Sequence, residues 1–316
     1  MQTLKYAAEV SAGIYAIDTG FERPHFDASY LLIDAGEAAF IDVGTNYSSD
    51  YLLHTLHELG LTEENVKYII LTHIHLDHAG GAGKMMQKCP HALLIVHPRG
   101  VRHMIDPAAL RAGAVGVYGE DKVQQTYGEL LSIEASRILE AQDQSSLKVG
   151  QRELICMDTP GHAKHHISIW DSQSQGVFTG DTFGLSYREF DTDQGPFVMP
   201  TTTPIQFDPE ALKNSIDRIC SLKPQSLFPT HYSRIDGVPR LKTIFLTILD
   251  EMVELALHLE NTDDRHNKIK EGLFKIYLSH LKQHGVKMQA NEIKEFLDID
   301  LELNAQGIDV WLNQKT

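Results

Sequence analysis

Cysteine is scarce in this sequence. The 316 residues hold three, Cys89, Cys156 and Cys220, with no C-x-x-C pair, which excludes a disulfide framework and a thiolate zinc site. No apolar run approaches 18 residues, and Met1–Val10, with Lys5 and Glu9, has no apolar core of the signal-peptide kind. A chain neither exported by a standard signal nor membrane-spanning is expected, in a reducing cytoplasm. Basic charge is in deficit: 28 Lys+Arg face 43 Asp+Glu, a net charge of −15, which argues against nucleic acid or an anionic membrane as partner. Low-complexity stretches and repeats of solenoid period are missing too. With 42% hydrophobic and 22% charged residues, the composition is that of an ordinary globular chain of roughly two domains. Histidine is the residue in excess, with 17 copies, several of them clustered.

Short β-branched or aromatic runs bounded by Gly, Asp or Asn predict strands at 13–17, 29–34, 38–43, 67–73 and 93–97, and again at 153–158, 166–171, 176–179 and 226–231. Leu52, Leu53, Leu56 and Leu59 recur at helical spacing before Gly60, predicting a helix over 48–59. Residues 99–140 read as mostly helical, and a Pro-punctuated loop, long enough to cover a site, interrupts the second strand group at 184–209. Two similar halves of strands flanked by helices imply an α/β fold, two packed sheets with helices outside. From about residue 240 no strand signal remains. The expected domains are therefore 1–240 and an all-helical extension, 241–316. Residues 241–258 carry a wide apolar stripe that suits packing on the preceding domain, with a homodimer face as the alternative.

The decisive run is Tyr68-Ile-Ile-Leu-Thr-His73-Ile-His75-Leu-Asp77-His78-Ala-Gly80-Gly81. An apolar strand delivers four ligand-type side chains within six residues. His73 and His75, two apart, point the same way while the chain is extended. Asp77 and His78 follow where the chain turns and can aim at a second point nearby. Three more ligand-type residues each close a predicted strand: His162 in Thr159-Pro-Gly-His162, Asp181 in Phe178-Thr-Gly-Asp181, and His231 in Phe228-Pro-Thr-His231. Strand ends are where an α/β scaffold exposes functional groups.

HxHxDH followed by TPGH, GD and a late PTH resembles the metallo-β-lactamase superfamily, over residues 1 to about 240. The resemblance implies an αββα sandwich with two metals at one edge of the paired sheets. Carried over position by position, His73, His75 and His162 would hold the first metal and Asp77, His78 and His231 the second, with Asp181 bridging both. Asp42, in Phe40-Ile-Asp42-Val-Gly44, matches an early aspartate close to the site, and His166 matches a supporting histidine. Five imidazoles and two carboxylates suit Zn²⁺, with Fe and Mn open to the same N/O set. The chemistry expected is hydrolysis, a metal-bound hydroxide attacking the carbonyl of a small-molecule substrate, with Asp77 and Asp181 as catalytic carboxylates.

Departures from the family's branches narrow the expectation. True zinc β-lactamases generally lack the bridging aspartate that Asp181 supplies, and the flavodiiron HxExDH pattern has Glu where this chain has His75. The RNA-processing branch favours basic surfaces. Acyl-homoserine lactonases place Tyr three residues after the bridging aspartate, where this chain has Gly184, although Tyr187 is nearby. The glyoxalase II branch of thioesterases shares all seven ligands and a helical C-terminal extension, but its basic glutathione-binding cluster is not recognisable. A thioester or lactone/ester hydrolase is expected, in a layout similar to a little-characterised bacterial and archaeal subgroup. The alternatives are a phosphodiesterase and a non-catalytic metal-binding protein that regulates or binds a partner.

Overall fold

In the computed structural model, which describes residues 3–203 and 205–315, apolar runs become strands wherever the intervening residues can turn the chain. The first sheet takes β1 (Ala7–Ser11), β2 (Ile14–Asp18), β3 (Ala28–Asp34), β4 (Glu37–Ile41), β5 (Val66–Ile70), β6 (Leu93–Val96) and β7 (Ile138–Glu140) in sequential order. β3 and β4 form a hairpin across Ala35 and Gly36, both at positive φ (48° and 82°), the backbone of a two-residue primed turn. β4 to β7 then run parallel, joined through α1 (Ser49–Glu58), α2 (Leu76–Ala79), α3 (Ala82–Lys88), α4 (Val101–Ile105), α5 (Ala108–Tyr118) and α6 (Glu120–Tyr127). The second sheet has β8 (Ser146–Val149), β9 (Arg152–Asp158), β10 (Ile167–Asp171), β11 (Gly176–Gly180) and β12 (Ser226–Pro229) in the order β12-β11-β10-β9-β8.

The central strands of the first sheet, β3 to β6, are buried on both faces, and the alternation of strand side chains sorts them between two cores. Leu31, Phe40, Ile69 and Leu94 join Leu52 and Leu56 of α1 and Met85 and Met86 of α3 in the outer core. Their neighbours Tyr30, Ile41, Ile70 and Ile95 meet Leu154, Ile169, Phe178 and Phe228 of the second sheet in the inner one. Tyr30 stands at its centre, edge-on to Phe178 at 5.2 Å, with its hydroxyl donating to the Pro229 carbonyl at 2.5 Å. These elements form one compact unit, Met1–Asp158 with His165–Gly180 and Ser226–Arg234.

The second unit comprises Thr159–Lys164, Asp181–Gln225 and Ile235–Thr316. α7 (Pro209–Ser221) starts at Asp208, whose carboxylate accepts from the amides of Glu210 and Ala211, with Pro209 in the first turn. α8 (Val238–Leu259), α9 (Arg265–Gln283), α10 (Ala290–Phe296) and α11 (Asp298–Lys315) complete an all-helical C-terminal region. The stripe of α8 is buried at Leu241, Phe245, Ile248, Leu249 and Met252, and α8 packs against α7 and α9. The 184–209 loop is tied into the same unit. Leu185 and Met199 exchange two backbone hydrogen bonds of 2.9 Å, Arg240 Nη2 donates to Pro196 O at 2.6 Å, and Asn304 Oδ1 accepts from Thr202 N at 2.7 Å.

Three details depart from the sequence expectation. β1 and β8 were not expected, because both are largely exposed and lack a clean apolar alternation. The helical stretch expected over 99–140 ends at Tyr127 and gives way to β7. The extension expected as all-helical over 241–316 ends not in one continuous helix but in two, α10 and α11, parted at Leu297.

Candidate metal centre

The parallel strand β5 ends at Ile70, and the chain beyond it carries Thr72, His73 and His75 out of the sheet before α2 presents Asp77 and His78. Asp42, just past β4, organises this segment. Its backbone is left-handed (φ 54°), its amide donates to the Ile70 carbonyl, and its carboxylate is buried. Asp42 Oδ1 accepts from Thr72 N at 2.8 Å. Its Oδ2 accepts from Thr72 Oγ1, His78 Nδ1 and Thr230 Oγ1, each at 2.8 Å.

Those bonds settle the tautomers of two histidines. A carboxylate only accepts, so His78 Nδ1 carries the proton and Nε2 offers a lone pair. Thr72 spends its hydroxyl proton on Asp42, so the 3.1 Å contact to His73 Nδ1 is a donation from the ring, and His73 too presents Nε2. That atom faces His75 Nδ1 at 2.7 Å. His231 is set in the same manner: Nδ1 donates to Phe26 O at 3.0 Å, leaving Nε2 to face Asp77 Oδ2 at 3.4 Å, and His78 Nε2 lies 3.5 Å from the same oxygen.

Ligand atoms of Asp77, His78 and His231 lie within 4.8 Å of one another. Two imidazole nitrogens with their opposite ring atoms already committed, and one carboxylate oxygen, fit a borderline divalent cation such as Zn²⁺.

His166 is fully buried and stacks on His73 with ring centroids 4.9 Å apart. Gly180 makes this possible: a Cβ there would lie 2.6 Å from both His166 Nε2 and Thr72 Oγ1, and its φ is +47°. His165 was not anticipated. Its ring lies 6.2 Å from that of His73 and 5.6 Å from that of His75, and a second histidine beside His166 was the only sequence signal for it. In the second unit, His162 Nε2 lies 3.4 Å from Asp181 Oδ2, and Thr201 O lies 3.3 Å from His162 Nδ1. Gly161, at φ 135°, passes so close to the backbone of Leu212 that a Cβ would sit 2.3 Å from its Cα. Tyr187, the tyrosine nearest the lactonase position, is buried against Phe296, and its hydroxyl donates to Asp300 Oδ1 at 3.1 Å.

Two packed sheets with a histidine and aspartate cluster at strand ends define a metallohydrolase scaffold. The family model of the Metallo-beta-lactamase superfamily matches residues 23–231, and the chain belongs to that superfamily, whose members are generally hydrolytic metalloenzymes with an αββα fold. A metallo-beta-lactamase fold-containing protein of Sulfurisphaera tokodaii is 26% identical over 219 residues, 67% of this chain and 76% of that protein. An atrochrysone carboxyl ACP thioesterase of Aspergillus fumigatus is 25% identical over 172 residues, 53% of this chain but only 38% of its own length. The crystal structure of a metallo-beta-lactamase family protein from Thermus thermophilus superposes with a TM-score of 0.68 at 20% identity, covering 96% of this chain and 94% of that one.

Proposed function

We propose that the protein is a dinuclear-metal hydrolase of carboxyl esters, with thioesters the favoured class. His73, His75 and His162 hold one ion, Asp77, His78 and His231 the other, and Asp181 is shared. The observation that carries this reading is the set of Asp77, His78 and His231, whose side chains converge with both imidazole tautomers already set for coordination. When bound, two divalent cations supply a lowered pKa for water and an electrophile for the carbonyl oxygen. Asp77, as a ligand of the second ion, would orient the attacking water. Asp42 holds His78, and through Thr72 also His73, in the ligating tautomer. The ring of His166 buttresses His73.

Two features favour thioesters over lactones. A relative described as an ACP thioesterase is 25% identical over 172 residues, and the Tyr187 hydroxyl donates to Asp300. The test is initial hydrolysis rates of Zn- and Mn-loaded protein on one thioester, one lactone and one phosphodiester, against Asp181→Ala. A thioester rate that falls by more than about 100-fold in the variant, beyond the loss typical of a mere supporting partner, is the expected result. Phosphodiester turnover alone reassigns the substrate class. No rate above the variant on any substrate overturns the enzyme reading in favour of a metal-dependent binding protein.

A further inference from the structure

Asp27 stands just ahead of β3, in Phe26-Asp27-Ala28-Ser29-Tyr30, and nothing in its sequence setting marks it as more than a turn residue. It is fully buried, yet neither carboxylate oxygen has a hydrogen-bond partner. Its backbone is strapped to one of the ligand segments. Phe26 O accepts from His231 Nδ1, Ala28 N donates to Thr230 O at 2.8 Å, and the Phe26 ring stands edge-on to the His231 imidazole at 5.2 Å. The charged and titratable groups that act on it are His231, Asp77, His78 and Asp18. Three of these four are the members of the convergent ligand cluster.

A buried carboxylate without a donor is among the least favourable groups a protein can hold, and the negative charge of Asp77 adds to the penalty. Both problems are relieved by a cation held by Asp77, His78 and His231. Asp27 does not belong to the cluster whose ligand atoms lie within 4.8 Å of one another, which leaves it the outer sphere, where a water on the ion can donate to it. Resting on the metal reading above, we infer that Asp27 is an outer-sphere carboxylate for the ion held by Asp77, His78 and His231, positioning the water on that ion and strengthening its retention. Its burial pushes the carboxyl well above the usual carboxylate range, with His231 and His78 opposing and Asp77 and Asp18 adding to the effect. A group in that condition gains most from a nearby dication.

The test is metal binding rather than turnover. Wild-type, Asp27→Asn and Asp27→Ala proteins are stripped and titrated with Zn²⁺ against a chromophoric chelator, and the thermal unfolding of each metal-free form is recorded. Both variants are expected to lose about 10- to 100-fold in affinity for the ion held by Asp77, His78 and His231 while keeping the other at wild-type affinity. The metal-free Asp27→Asn protein should unfold at a temperature equal to or above wild type, because a near-isosteric amide replaces a buried carboxyl that has no hydrogen-bond partner; this separates the effect from general damage. Unchanged affinity for the second ion in both variants overturns the role of Asp27 alone. A wild-type protein that binds only one ion overturns the two-ion reading with it.

Discussion

Asp42 shows how one buried carboxylate fixes the histidine-bearing segment around it. Four hydrogen bonds from Thr72, His78 and Thr230 converge on its two oxygens in a buried setting. Asp42→Asn tests this cleanly, since asparagine tolerates the left-handed backbone at φ 54° but supplies only one acceptor oxygen. The variant is expected to lose about 10- to 100-fold in metal affinity and about 2 kcal/mol of stability, read by chelator competition and urea unfolding. At this scale the candidate ligand run was legible: His73, His75, Asp77 and His78 stand out by residue type and spacing at the end of an apolar strand. Asp27 and His165 were not, because an isolated aspartate in a polar turn or a histidine in a loop becomes chemically particular only through burial, and burial is not written locally.

Among the elements, the turns and strand ends carry the tightest constraints. Gly180 closes β11 where Thr72 and His166 leave no room for a Cβ, whereas Gly36 turns the β3–β4 hairpin at φ 82° with nothing within 4 Å of its would-be Cβ. Gly36→Ala should therefore cost only the backbone strain, about 1 kcal/mol. Gly180→Ala adds overpacking and should cost about 2–4 kcal/mol, with disturbed metal uptake; urea unfolding and metal titration read both. In the second unit the Tyr187 hydroxyl serves Asp300. Tyr187→Phe is expected to lower stability by about 1 kcal/mol while leaving the thioester rate within about twofold, since the hydroxyl faces the helices; a large loss of rate would instead place that hydroxyl in the chemistry. Strands with a continuous apolar run and helices with a clear stripe were readable from sequence. β1 and β8 were not, because half-exposed edge strands owe their pairing to a neighbour rather than to their own pattern.

Across the whole chain, the described residues include no helix long and apolar enough to cross a membrane. Burial holds His97 below the ordinary imidazole range, with Asp158 pulling it upward, and does the same to His284 against an acceptor at Gly195 O. Both bind protons more readily once unfolded, so their contribution is complete above the unfolded pKa near 6.5 and is lost as pH falls through the lower folded values. The melting temperature of the metal-free protein should decline from pH 7.5 to pH 5, and His97→Asn should flatten that decline; an unchanged profile would remove His97 from the account. The family, the two-sheet fold and the ligand run follow from the order of residues alone, because apolar periodicity and ligand spacing are local properties that survive without any partner. Local order could not assign Thr159–Lys164 and Asp181–Gln225 to the same compact unit as the C-terminal helices, or choose which ring nitrogen each histidine presents. Nor could it tell that a carboxylate at Asp27 would be enclosed without a partner. These depend on which distant groups fold against one another, and only the tertiary structure decides burial and the hydrogen bonds that burial makes obligatory.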